Sequence, residues 1–269
     1  MAIKLGIRYD VGVDPSVLFE IAVDETKPVS DRVTCIEHLP IDDEERLRST
    51  LAQSIRSADP EVRIASRNRL ASFAATEAEP LLVDAFTAGT PAERQAAIQA
   101  LGRINSPSVH EMMEGLIVDG GLSEVSPELR LDVLEAFSAS GHEPLGMFAD
   151  QWWSAPGPES WDVTLAGGDP EEGMRVVRYH SGATCLRCHV INGRGGEAGP
   201  SLDGVGQRLD RESLLQSIIA PQAVITDGYG EASAMPNMQD LLTPREIRDV
   251  VAYLETLRDQ DDQVTELGH

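Results

Sequence analysis

Cys185-Leu186-Arg187-Cys188-His189 is the stretch of this 269-residue chain whose residue types and spacing point most directly to chemistry. Two cysteines three apart, followed at once by a histidine, form the pattern that attaches a c-type haem. If the five residues open a helix, both sulfurs lie one turn apart on one face, placed to form thioethers with two haem vinyl groups. His189 then offers a neutral imidazole nitrogen to the iron. Two other uses of a cysteine pair stand beside this one. Structural zinc takes four ligands, and the remaining cysteine, Cys35, has no neighbouring pair. A thioredoxin-like dithiol needs a preceding strand and a βαβ context, and neither reads from Tyr179-His180-Ser181-Gly182. The cofactor expected is therefore one covalent haem c.

The elements that must position this motif follow from the flanking pattern. Asp169 caps a helix with Pro170 at its first position, and Gly173 inside that helix implies a packing reason, since it costs about 1 kcal/mol against alanine. A glycine-rich loop, VINGRGGEAGPSLDGVGQR, follows the histidine. Arg208 at its end is a candidate partner for a haem propionate, because a guanidinium matches a carboxylate with two parallel hydrogen bonds; an exposed arginine reads the same. Leu209, Leu214, Leu215, Ile218 and Ile219 give a helix with one apolar side, stopped by Pro221. The loop from Gly228 to Met238 is expected to carry the sixth iron ligand, with Met235 and Met238 as candidates. His180 sits too close to the attachment motif in sequence to reach the opposite haem face easily. Thr243-Pro244-Arg245-Glu246 opens the last helix with a capping box, and Ile247, Val250, Val251, Leu254 and Leu257 form its apolar stripe.

Upstream, proline recurs before apolar-periodic runs at Pro28, Pro60, Pro91 and Pro127, at intervals of 32, 31 and 36 residues. That spacing is typical of two-helix solenoid repeats. Three positions on lie Arg63, Arg94 and Arg130; ten positions on lie Leu70, Leu101 and Phe137. Asp59, Thr90 and Ser126 precede their prolines as N-cap candidates. Second helices are expected over Val17 to Val23, Glu77 to Phe86 and Val109 to Ile117. Cys35 reads as a small core hydrophobe, and His38, His110 and His142 as surface or capping residues. Two clusters of turn residues, Ser154 to Pro158 and Ala166 to Pro170, bracket a short stretch expected to be extended, Trp161 to Leu165.

Composition narrows the function classes. Aromatic residues are only 4%, which favours helices over sandwiches or barrels. The formal net charge is −23, from 22 basic and 45 acidic residues, and the basic ones are arginine apart from Lys4 and Lys27. Such a surface repels phosphate backbones and anionic lipid, so no nucleic-acid partner is expected; it suits a basic redox partner or a salty environment. No apolar run approaches the roughly 18 residues of a membrane helix. Met1 to Glu20 shows no signal peptide. Because c-type haem is attached outside the cytoplasm, the expected location is periplasmic or otherwise exported, with the chain a segment of a longer secreted precursor.

Two resemblances organise these observations. DPEVRIASRNRLASF and TPAERQAAIQALGRI resemble HEAT repeats, whose units bury their apolar stripes only against their neighbours. Residues from Asp169 to about Leu257 have the length and order of a small class I cytochrome c. In that class a glycine equivalent to Gly173 lets the first helix approach the last, here at Tyr253, although Val177 stands where an aromatic residue is usual. The resemblance implies that the Pro200 carbonyl accepts the second N–H of His189, and that the distal ligand is the methionine followed by proline, Met235. More narrowly, LAGGDPEEGMRVV, CLRCHVINGRGGEAGPSLDGVGQR, LLQSIIAPQAVITDGYG and SAMP before LLTPREIRDVVAYLETL resemble the haem-binding domain of PVC-type multidomain cytochromes. Those are periplasmic proteins in which a dehydrogenase-like propeller precedes HEAT-like repeats and a C-terminal cytochrome c. The propeller and a strand-rich insertion are absent here, so the resemblance implies no dehydrogenase activity in these residues.

The expected architecture is all-α: an N-terminal remnant over 1–14, HEAT-like repeats over 15–153, a linker over 154–168, a class I cytochrome c domain over 169–259 and an acidic tail over 260–269. The expected function is electron transfer through a His/Met-ligated haem, held by Cys185, Cys188, His189 and Met235 with Pro200 and Arg208 in support. Two rivals are a haem enzyme or gas/peroxide sensor with an open distal site, and an interaction scaffold in which the solenoid is what matters.

Overall fold

The computed structural model of the chain describes residues 14–118, 121–155 and 158–258. The expected N-terminal remnant, apart from Asp14, and the acidic tail lie outside them. The fold is all-α, a helical solenoid and a cytochrome-like helical domain, and its described strands are the two of one short hairpin. It divides into two compact units: one reaches Glu124 and includes Asp132–Gln151, the other takes Val125–Leu131 and the chain from Trp152 onward.

The first unit is built from α1 (Pro15–Val23), α2 (Val29–Glu37), α3 (Glu44–Ser54), α4 (Pro60–Ala71), α5 (Ala75–Ala88), α6 (Pro91–Leu101) and α7 (Pro107–Gly115), with most of α8 (Arg130–Ala139) and α9 (Glu143–Ser154). Here α1 packs on α2 and α3, α4 on α2, α3, α5 and α6, and α5 on α6. Each proline begins or caps a first helix, where its missing N–H has no intrahelical partner; at Pro127 it opens a 3₁₀ turn that runs into α8. Helix α3 is an element the sequence pattern does not mark, and Val17 to Val23 lies in α1, which packs on both α2 and α3. Apolar positions ten after the prolines, Leu70, Leu101 and Phe137, are all buried. So is Cys35, whose thiol burial pushes up to a pKa of about 11.

Capping differs from the simple expectation. Thr90 accepts from the Glu93 N–H in a capping box, but Asp59 makes no side-chain cap. Its carboxylate instead takes Nη1 of Arg32 at 3.3 Å, in the preceding repeat, where Arg32 is buried. One repeat further, Arg63 donates Nε and Nη2 to the two oxygens of buried Glu93 at 2.7 and 2.8 Å, and Arg67 adds a third bond at 2.8 Å. Arg32 and Arg63 thus bind one repeat to the next.

In the second unit α10 (Pro170–Tyr179) crosses α13 (Pro244–Thr256), with α11 (Val205–Arg208) and α12 (Arg211–Ile219) also packed on α13. At the crossing a Cβ on Gly173 would collide with the Asp249 carbonyl and stand 2.8 Å from Cβ of Tyr253. Both backbones belong to packed helices and neither can yield. Gly173→Ala is therefore expected to destabilise this unit by about 3 kcal/mol, at the upper end for overpacking, read by urea denaturation followed by circular dichroism. Val177, smaller than the usual aromatic, is buried in the same core.

The stretch expected to be extended is a 3₁₀ helix, Pro158–Thr164. Trp161 packs against the core of this unit, and the Thr164 hydroxyl turns back onto the Trp161 carbonyl at 2.7 Å. Burying the indole from so short a segment requires the chain to coil.

Candidate haem-attachment site

α10 ends at His180, whose Nδ1 accepts the N–H groups of Gly182 and Ala183 at 3.2 and 3.0 Å. That ring nitrogen is therefore committed to shaping the turn. Thr184 follows in the left-handed region at φ +42°, unusual for a β-branched residue, and swings the chain into the motif.

Cys185–Arg187 forms one 3₁₀ turn and not the start of an α-helix. Cys188 and His189 both donate backbone N–H to the Cys185 carbonyl, at 3.2 and 3.0 Å. Further helix is prevented because the glycine-rich loop claims the next carbonyls: Gly196 N–H donates to Leu186 and Gly199 N–H to Cys188, at 3.0 and 2.8 Å. The loop returns through a hairpin, β1 (Val190–Ile191) against β2 (Arg194–Gly195). Its turn is Asn192-Gly193 at φ 52° and 70°, the primed conformation that matches strand twist. This Asn-Gly pair was the sequence signal for a hairpin that glycine richness alone hid.

Both motif thiols are free; Cys188 is exposed, and Cys185 is half-buried against the apolar core, where burial raises its pKa. Nδ1 of His189 lies 2.7 Å from the Pro200 carbonyl oxygen. A carbonyl only accepts, so Nδ1 carries the hydrogen and Nε2 keeps its lone pair. Gly199 lies flat against the ring: a Cβ there would sit 2.7 Å from Cε1 and 2.9 Å from Nδ1 of His189. Glycine at this position lets the loop backbone brace the imidazole.

Arg208 is exposed and donates to the carbonyls of Ser201, at 2.9 Å, and Asp203. It braces the stretch following Pro200. Met235 is half-buried at the margin of the same apolar cluster as Cys185, Leu186 and Leu202, and its N–H donates to Ser233 Oγ at 3.2 Å. Met238 is 5% exposed within that cluster, and its carbonyl accepts from Leu241 and Leu242 at 3.0 and 2.8 Å. The fold thus brings the attachment turn and Met235 to one apolar cluster, with Met238 inside it. Gln222, which sequence reasoning did not single out, holds the backbone of Ser233 on both sides.

This set fits a c-type haem: two free thiols on one turn, an imidazole with Nε2 available, a thioether at the cluster margin, and leucine and isoleucine walls from α12. Residues 178–258 match the cytochrome c family, and residues 47–138 match HEAT repeats. No curated protein matches the chain. The cytochrome c match implies covalently bound haem c and supports haem-based electron transfer.

Proposed function

In a chain that joins HEAT repeats to a cytochrome c domain, we propose that Cys185 and Cys188 tether a single haem, with His189 and Met235 as its axial ligands, to carry one electron at a time to and from a redox partner. The observation that carries this reading is the His189–Pro200 contact of 2.7 Å beside two free thiols, because it leaves Nε2 unprotonated and oriented. Bound haem supplies an iron that exchanges one electron, with a potential raised by methionine ligation.

The chain's own residues do the rest. Pro200 holds the imidazole proton at Nδ1, and Gly199 fixes the ring plane. Leu214, Leu215, Ile218 and Ile219 exclude water on one side, while exposed Cys188 marks the side open to solvent. Arg208 fixes the 201–203 backbone and is the candidate propionate partner. The charge of −23 supports a partner with a basic docking surface. No described helix is long and apolar enough to cross a membrane. Covalent haem attachment supports a periplasmic or otherwise exported setting, and the PVC-type resemblance supports a place as the C-terminal redox module of a larger dehydrogenase-like protein, preceded by residues 15–153 as repeats and 154–168 as linker to a domain over 169–259.

Exported protein tests this reading by pyridine haemochrome spectrum and intact mass. The expected result is a c-type spectrum and a mass of the polypeptide plus one haem; the Cys185→Ser/Cys188→Ser double variant is expected at the bare polypeptide mass. Colourless wild-type protein overturns the reading. Rapid carbon monoxide binding by the reduced wild type would instead favour an open-site haem enzyme or sensor.

A further inference from the structure

Between Pro221 and Met238, both buried, the chain makes a long excursion over the surface. Residues 223–232 are exposed apart from half-buried Ile225, and Gly228 and Gly230 adopt φ near +91° and +92°. Within that span the backbone is held by bonds such as Tyr229 N–H to the Thr226 carbonyl at 3.1 Å. A loop so exposed has little to fix its path.

Its two ends are nevertheless joined by one side chain. The Gln222 amide donates Nε2–H to the Ser233 carbonyl at 2.7 Å and accepts the Ser233 N–H at Oε1 at 3.1 Å. It pairs with the main chain as a neighbouring strand would. Ser233 in turn accepts the Met235 N–H on its Oγ at 3.2 Å. Two parallel hydrogen bonds to Ser233 and one from Ser233 to Met235 therefore link Gln222, just after buried Pro221, to the backbone of Met235. The clamp cuts the excursion into a ten-residue appendix and a short stretch, 234–237, pinned at one end by Ser233 and at the other by Met238.

We propose that Gln222 is a positioning residue for the distal ligand: by clamping Ser233 it keeps Met235 at the iron and sets how readily an outside ligand displaces it. This rests on Met235 as the distal ligand. Displacement breaks the sulfur–iron bond and forms one from the incoming ligand, with no change of oxidation state. Only molecules with the loop open bind the incoming ligand, so apparent affinity follows the open fraction. Removing both Gln222 bonds raises that fraction.

The probe is imidazole, titrated into the ferric, haem-loaded full chain and followed by loss of the methionine-to-iron charge-transfer band. Gln222→Ala is expected to bind imidazole about tenfold more tightly than wild type, with haem content and thermal midpoint unchanged within error. Gln222→Glu, which keeps an acceptor for the Ser233 N–H but sets a carboxylate oxygen against its carbonyl, is expected to do the same. Limited proteolysis of the same proteins is expected to cut 223–234 faster in both variants. Met235→Ala serves as the reference. If it opens the iron while both Gln222 variants stay within twofold of wild type, the positioning role is overturned and the ligand assignment stands. If Met235→Ala leaves the band and imidazole binding unchanged, the ligand assignment fails and the positioning role falls with it.

Discussion

Replacing Met235 by alanine is expected to lower the reduction potential by at least about 120 mV, two decades in the one-electron equilibrium at ~59 mV per decade. A thioether stabilises ferrous iron relative to ferric, so its loss favours the oxidised form. Met238→Ala is expected to do something different. Met238 is 5% exposed in the core, and its carbonyl anchors the turn leading into α13. Truncating it leaves a cavity and costs about 2–5 kcal/mol of stability, with the potential changed by less than one decade. Spectroelectrochemical titration and urea denaturation of the two single variants separate these roles. The reverse pattern would assign the iron to Met238. The half-buried position of Met235 at the cluster margin supports the first pattern, because a ligand must present its sulfur at a surface of the core and not within it.

The second large effect belongs to the solenoid. Glu93→Ala is expected to destabilise the first unit by about 3–5 kcal/mol, the usual loss when one partner of a buried ion pair is removed and the other is left. Arg63 and Arg67 would both lose their shared carboxylate, and Thr90 would lose the second half of its capping box. The same carboxylate gives the unit an acid limit. The Arg63 guanidinium, followed by Arg67 and Thr90, holds Glu93 well below the ordinary carboxylate range, while burial opposes this more weakly than the bonds together favour it. A carboxyl whose folded pKa is depressed contributes its stability fully above the unfolded value, about 4.3, and loses it as pH falls toward the folded one. Thermal unfolding of the first unit, followed by circular dichroism, is expected to fall steeply below about pH 4.3 in wild type. In Glu93→Gln the midpoint is expected to be lower at pH 7 and flatter across that acid window. The Soret band, reporting on the other unit, is expected to be indifferent to both substitutions.

These two sites also show which features could be read before the fold was known. Arg63 and Arg94 announced themselves as a periodic pair, yet their partners differ. Arg63 meets Glu93, whereas Arg94 donates Nε to the Phe86 carbonyl at 2.9 Å. Period is a property of the chain, but partner choice depends on which acid the next repeat places at the same height. Helix α3 escaped notice because Glu44-Glu45-Arg46 starts it with charge and its apolar positions are sparse, Leu47 and Leu51 being the main ones. Stacking on neighbouring helices buries that thin stripe and makes it a helix.

Around the haem the division is the same. Cys185, Cys188 and His189 stand out in the sequence because thioether attachment and ligation by one turn would impose a fixed local spacing, and the prolines of the repeats were legible because helix N-termini are local events. What the tertiary structure alone decided was the use of groups distant in sequence. It closed the motif into a 3₁₀ turn by lending the N–H groups of Gly196 and Gly199 to its carbonyls. It set Pro200 against the imidazole, which the sequence carried only through resemblance, and it gave Gln222 its hold on Ser233. Local spacing is dictated by covalent geometry and helical pitch, whereas a hydrogen bond between residues ten or more apart depends on where packing leaves two backbones, and no linear pattern encodes that.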